Sequence, residues 1–138
     1  EKIQQYCRKT GQTVPETDGS LVRCIYESLA LKYRYAIEQL SAVTGRAFTT
    51  LHVLGGGTKD RLLCQMTADC CGLTVKAGPV EATALGNIMI QLKALGLLDS
   101  ITQGRRLIAE TEVIKTYTPS TQNYAEWNAA YDRFKTLL

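Results

Sequence analysis

Leu51-His52-Val53-Leu54-Gly55-Gly56-Gly57-Thr58-Lys59-Asp60 is the stretch on which the reading of this chain turns. Its first half continues Phe48-Thr49-Thr50, is β-prone, and stops at three consecutive glycines. After Thr58 the period changes. Leu62, Leu63, Met66 and Cys70 recur on one helical face, which predicts a helix over 59–71 closed by Gly72. Leu73-Thr74-Val75-Lys76-Ala77 then reads as a second strand, and Gly78-Pro79 turns the chain into another helix. That helix places Leu85, Ile88, Met89, Leu92 and Leu95 inward, with Gly96 beyond its end. Strand, helix, strand, helix in this rhythm predicts two parallel strands, over 48–54 and 73–77, with a right-handed crossover. The expected class is α/β and helix-rich.

Upstream, residues 2–10 suit a short polar helix ended by Gly11, and Pro15 biases Val14 out of the helical region. Asp18 or Thr17 caps a long second helix. Its apolar set, Leu21, Val22, Ile25, Leu29, Tyr33, Ala36, Ile37, Leu40 and Val43, recurs every three or four residues and is expected to face the core. Gly45 is its natural terminator. Downstream, a short helix is expected near 101–111, then an extended stretch around Pro119. A last amphipathic helix carries Tyr124, Trp127, Tyr131, Phe134 and Leu138.

Composition narrows the function classes. The chain has 138 residues, 45% apolar and 21% charged, which suits one globular domain and excludes disorder. No apolar run is long enough to span a bilayer. Sixteen Lys and Arg against thirteen Asp and Glu give +3, without the basic stripe that a nucleic-acid backbone demands. Five cysteines without a C-x-x-C spacing, and His52 as the sole histidine, do not make a zinc site, so no metal ligands are assigned. Reduced, buried thiols of a cytoplasmic protein are expected instead. Cys7 and Cys24 flank the Gly11–Pro15 turn at similar distances, so a helical hairpin would bring them near each other. The opening Glu1-Lys2-Ile3 lacks Met and a signal segment, and is expected to lie inside a longer polypeptide.

A glycine turn between strand and helix admits two uses. Without Cβ atoms it lets a ligand touch the backbone, and the helix behind it offers free N–H groups to anions. Glycines can equally make a tight turn and nothing more. The dinucleotide pattern G-x-G-x-x-G fits at Gly55 and Gly57 but fails at Asp60. The P-loop pattern fails outright.

The run from Leu51 to Asp69, followed by Val75-Lys76-Ala77-Gly78-Pro79-Val80-Glu81-Ala82-Thr83-Ala84-Leu85-Gly86-Asn87, closely resembles the C-terminal domain of the FGGY carbohydrate kinases. Gly86-Asn87, after Ala77-Gly78-Pro79-Val80-Glu81, is similar to the branch of that family acting on L-rhamnulose. The resemblance extends to the long helix from Asp18 and to Tyr117-Thr118-Pro119 before the aromatic last helix. It implies a partial RNase H-like, actin-like ATPase domain, with residues 1–138 as the nucleotide-binding side. The sugar-binding domain and a preceding strand meander would lie outside this chain, leaving two strands of a five-stranded sheet.

The implied reaction is phosphoryl transfer from ATP, with Mg²⁺, to the 1-hydroxyl of L-rhamnulose in the cytoplasm. Another pentulose or hexulose of the same family is the alternative, and a helical interaction module with a purely structural glycine turn is the rival from another class. The resemblance places Gly56 against the nucleotide, with Gly55 and Gly57 as flanks. Asp60 stands where the family usually has an Asn touching adenine or ribose; an ionised Asp accepts hydrogen bonds but donates none. Gln65 would sit behind the site and Asp69 would be structural. Glu81 suits a helix start through the macrodipole, and Gly86 in mid-helix implies close approach of another backbone. No residue here matches the family's catalytic base, so no catalytic residue is assigned and the chain alone is expected to be inactive. The meander's absence would leave one edge of the strand at 48–54 unpaired, so the chain is expected to form a homodimer through it.

Overall fold

Thr17 opens the longest element. In the computed structural model, which describes all residues 1–138, helix α1 (Lys2–Lys9) is followed by helix α2 (Asp18–Thr44). Thr17 Oγ1 accepts from the Ser20 N–H at 3.1 Å, and Ser20 Oγ accepts from the Thr17 N–H at 3.0 Å, a reciprocal cap. Gly45 ends α2 at φ 65°, a conformation that suits glycine. Strand β1 (Thr50–Val53), a 3₁₀ turn (Gly55–Lys59) and helix α3 (Arg61–Cys71) follow. Then come strand β2 (Thr74–Ala77), helices α4 (Ala82–Ala94) and α5 (Ile101–Thr111), strand β3 (Lys115–Tyr117) and helix α6 (Tyr124–Lys135).

The predicted parallel pair is present, with Leu51 opposite Val75 and His52 opposite Lys76. Two expectations need correction. The sheet has three strands, not two, because Lys115–Tyr117 pairs antiparallel with β2 and places Thr116 opposite Lys76. Also, α3 starts at Arg61 rather than Lys59, because the glycines and Lys59 wind as a 3₁₀ turn and Asp60 becomes the cap.

Helix α3 lies between two parts of the core. Its Cys64 and Ala68 face Val75 and Ala77 of the sheet, with Leu51, Val53 and Tyr117 packed around them. Its Met66 and Cys70 face Ala30 and Leu31 of α2 and Tyr131 of α6, with Tyr26, Tyr35, Trp127 and Phe134 alongside. Burial of a side chain such as Val75 stabilises by about 1.5–3 kcal/mol.

The face that α2 buries is not its apolar stripe. Val22, Ile25, Leu29, Tyr33, Leu40 and Val43 are all exposed, Val43 to 85%, and the fully buried positions are Ala30 and Leu31. Small Ala30 lets α3 approach closely, and polar side chains complete the contact. Arg34 Nη1 donates to the Asn128 side-chain oxygen at 2.9 Å and to the Cys70 carbonyl at 3.3 Å. Its guanidinium lies 4.2 Å from the centre of the Tyr131 ring. The Tyr131 hydroxyl donates to Glu38 at 2.6 Å, and burial followed by that carboxylate pushes its ionisation well above the usual tyrosine range. This network ties α2, α3 and α6 together.

Cys7 is buried and Cys24 half-buried, and both line one groove beside α2. Burial first, and the neighbouring Cys7 second, push the Cys24 thiol up. All five cysteines are free thiols.

Candidate functional site

The glycine turn is pinned from both sides. The Gly55 N–H donates to the Pro79 carbonyl at 3.2 Å, and the Gly78 N–H donates to the Val53 carbonyl at 2.9 Å. Thr58, itself buried, donates its hydroxyl to the Gly55 carbonyl at 2.7 Å. The turn is therefore held by the sheet and by the connection from β2 to α4, not by its own sequence alone.

Its three glycines are not equivalent. Gly55 takes φ 78°, so the fold itself asks for glycine there. Gly56 has no positive φ, and a Cβ placed on it would meet nothing within 4 Å. A Cβ on Gly57 would touch Val53 Cγ1 at an ordinary 3.8 Å. Folding thus gives no reason for glycine at position 56. The open space in front of it is where a ligand could reach the backbone.

Asp60 closes the turn. Its Oδ1 accepts from the Leu63 N–H at 2.9 Å and caps α3, while Oδ2 accepts from the Tyr26 hydroxyl of α2. The Leu63 N–H, and secondly the Tyr26 hydroxyl, hold its carboxyl below the usual aspartate range. A carboxylate with a depressed folded pKa stabilises above its unfolded value of about 3.9 and loses that contribution as pH falls through the folded value. Asp60→Asn keeps a good capping oxygen but cannot titrate. The gap in thermal midpoint between wild type and Asp60→Asn should therefore be largest at neutral pH and shrink below about pH 4. A gap that stays constant down to about pH 2 would remove the capping carboxylate from the account.

Gln65 and Asp69 are structural. Gln65 Nε2 donates to Asp69 Oδ1 at 2.8 Å and to the Thr118 carbonyl at 2.9 Å, and the same Asp69 oxygen accepts from the Ser120 N–H at 2.8 Å. Together they hold the chain after β3 against α3.

Behind the turn, a cleft of about 1080 Å³ separates the open face of the sheet from the α4–α5 hairpin. His52, Lys76 and Thr116, neighbours across the three strands, form its floor, and Asn87 and Arg105 line the opposite wall. No carboxylate lines it, and neither Lys76 nor Arg105 has an ion-pair partner. Gly86 lines this cleft, and a Cβ there would meet nothing within 4 Å, so the expected close approach of another backbone does not occur. Glu81 stands at the N-cap of α4 without a side-chain capping bond.

Gly55, Gly56, Gly57 and Asp60 thus lie along one turn, with Asp60 at its end as the cap of α3. Tyr26 and Pro79 hold its two ends through hydrogen bonds and are not visible in the local sequence. Tyr26 lies 34 residues before Asp60, and no periodicity singles out its hydroxyl.

A profile of the C-terminal domain of the FGGY family of carbohydrate kinases matches residues 3–95. Over its whole length the chain is 50% identical to a rhamnulokinase of Bacteroides thetaiotaomicron, spanning 28% of that protein. It is 44% identical over 133 residues to a rhamnulokinase of Enterobacter sp., which covers 96% of this chain and 27% of that protein. Among solved structures it is similar to xylulose kinase from Rhodospirillum rubrum, with a TM-score of 0.67 and 23% identity over 92% of this chain and 25% of that one. The likeness shows that this chain has the fold of the matching quarter of that protein. The chain spans about a quarter of the length of the relatives it matches.

Proposed function

This chain belongs to the FGGY family of carbohydrate kinases, and from that premise we propose that it is the nucleotide-binding-side domain of a kinase that phosphorylates L-rhamnulose. The observation that carries the nucleotide assignment is Gly56, a glycine the fold does not require, in front of open space. In this reading the backbone of Gly55, Gly56 and Gly57 packs against the adenosine part of ATP. Asp60 faces it from the end of the turn. Each of its oxygens already accepts one hydrogen bond and keeps a second lone pair for a ribose hydroxyl or the adenine amino group.

The sugar assignment rests on the two rhamnulokinases, which match this chain at 50% and 44% identity. Transfer to a ketose hydroxyl needs a base that orients the hydroxyl and Mg²⁺ on the phosphates. No three His, Cys, Asp or Glu side chains of this chain converge on a metal-sized site. The ion would ride on ATP, and the base and the sugar pocket belong to the rest of the polypeptide. The 138 residues alone would not turn over. No helix is long and apolar enough to cross a membrane, and the reading puts the enzyme in the cytoplasm, in L-rhamnose breakdown.

The test is ADP release by the intact protein with L-rhamnulose, L-ribulose, D-xylulose and glycerol in turn. L-Rhamnulose should exceed every other substrate in kcat/KM by at least about tenfold, which is about 1.4 kcal/mol of transition-state discrimination. Preference for another ketose would overturn the sugar assignment. No transfer to any of them would overturn the kinase reading.

A further inference from the structure

Asp60 is tied to a helix far from it in sequence. Its Oδ2 accepts from the hydroxyl of Tyr26, on α2, and its Oδ1 accepts from the Leu63 N–H that it caps. Tyr26 packs against the core formed by Ala30, Leu31, Met66, Cys70 and Tyr131, so its hydroxyl has a fixed place. That hydroxyl bonds to no other group of the chain, and no Lys, Arg or His pairs with Asp60. The carboxylate is half-buried, held by one donor on each oxygen, and keeps acceptor capacity on both.

Helix α3 needs only one of these bonds. The Leu63 N–H completes the cap, and a Ser, Thr or Asn oxygen would serve there as well. The bond from Tyr26 adds nothing to the cap. It fixes the second oxygen, and with donors on both oxygens the group stays an ionised carboxylate that only accepts. This carboxylate stands near the carboxyl end of the parallel strands. The glycine turn leaves β1 there and Gly78-Pro79 leaves β2 beside it, the two joined by the bond from the Gly55 N–H to the Pro79 carbonyl. In open α/β sheets, ligands bind in the crevice outside that end.

A pair of acceptors selects what it binds. Adenine offers its N6 amino group beside the N7 acceptor, a donor next to an acceptor, which an amide matches and a carboxylate does not. The 2′ and 3′ hydroxyls of ribose offer two donors side by side. In dinucleotide-binding folds an acidic residue takes a ribose hydroxyl in this way. Building on the nucleotide reading of the glycine turn, we propose that Asp60 binds the ribose 2′,3′-diol and that Tyr26 is the positioning residue that aims it.

Kinetics of the intact enzyme with ATP, 2′-deoxy-ATP, 3′-deoxy-ATP and ITP test this assignment. In the wild type each deoxynucleotide should have a KM at least about tenfold above that of ATP, as expected for a lost hydrogen bond to a charged group. In Tyr26→Phe that preference should fall to about threefold or less, with the loss in KM rather than in kcat. A merely structural Tyr26 would lower stability and leave the preference in place. Asp60→Asn keeps the cap but offers a single acceptor oxygen, so it should shrink the preference likewise, and it decides alone should Tyr26→Phe fail to fold. Equal KM values for ATP and both deoxynucleotides, or a preference that survives either substitution, would overturn the assignment. So would a preference for ATP over ITP that both substitutions abolish, because it would put Asp60 on the base. The nucleotide reading fails separately, through Gly56→Val. If that change raises the KM for ATP while the deoxynucleotides match ATP, the turn binds the nucleotide and only the ribose contact is wrong.

Discussion

Gly56→Val in the intact enzyme should raise the KM for ATP by at least about tenfold, a loss of about 1.4 kcal/mol or more in nucleotide binding, with thermal stability nearly unchanged. The two halves of this expectation come from one observation. A Cβ on Gly56 meets no protein atom within 4 Å, and the residue has no positive φ. The Cβ of a valine therefore displaces nothing in the folded chain. Its side chain occupies the space through which a ligand would reach the backbone, and only the ligand is affected. Gly56→Ala should give the same effect at smaller size. A KM for ATP that stays within about twofold, some 0.4 kcal/mol, would separate the glycine turn from nucleotide binding.

Gly78→Ala should act in the opposite sense, on stability rather than on the ligand. Gly78 takes φ 134°, a region open essentially to glycine alone, and a Cβ there would lie 2.7 Å from the Val113 carbonyl oxygen and 3.0 Å from Ile114 Cδ1. The first of these atoms is backbone and cannot swing aside. Backbone strain of about 1–3 kcal/mol and overpacking of about 1–3 kcal/mol together put the loss at about 2–6 kcal/mol. Urea denaturation should show it as a lowered midpoint at unchanged slope. Gly86→Ala is the matched comparison. That glycine is mid-helix with open space before it, so alanine should be neutral or stabilising by up to about 1 kcal/mol. Equal stabilities for Gly78→Ala and Gly86→Ala would mean that Val113 and Ile114, just before β3, do not approach Gly78 at these distances.

Much of this arrangement can be read from the chain. Thr17, Gly45 and Gly72 mark helix ends by local chemistry, and the change of period after Thr58 marks the strand-to-helix unit. These signals are local, and local signals survive folding. Strand β3 is different. Lys115-Thr116-Tyr117 has no apolar alternation, and it is a strand only because β2 offers an antiparallel partner. The buried side of α2 was equally hidden. Apolar periodicity shows that a helix is amphipathic, but Arg34, Glu38 and Tyr26 make the contact with α3 and α6 through polar groups that such counting ignores. At the site itself, Gly55 to Asp60 were visible as a contiguous motif. The Tyr26 hydroxyl and the Pro79 carbonyl that hold the motif reach it only through the tertiary fold.

The most direct measurement of the central claim is the backbone amide spectrum of this chain, assigned and titrated with ATP. Shifts concentrated at Gly55–Asp60, centred on Gly56 and lost in Gly56→Val, are the result expected if the turn holds the nucleotide. An unchanged spectrum over those residues, at ATP concentrations that saturate the intact enzyme, would contradict it and leave the glycines a turn and nothing more.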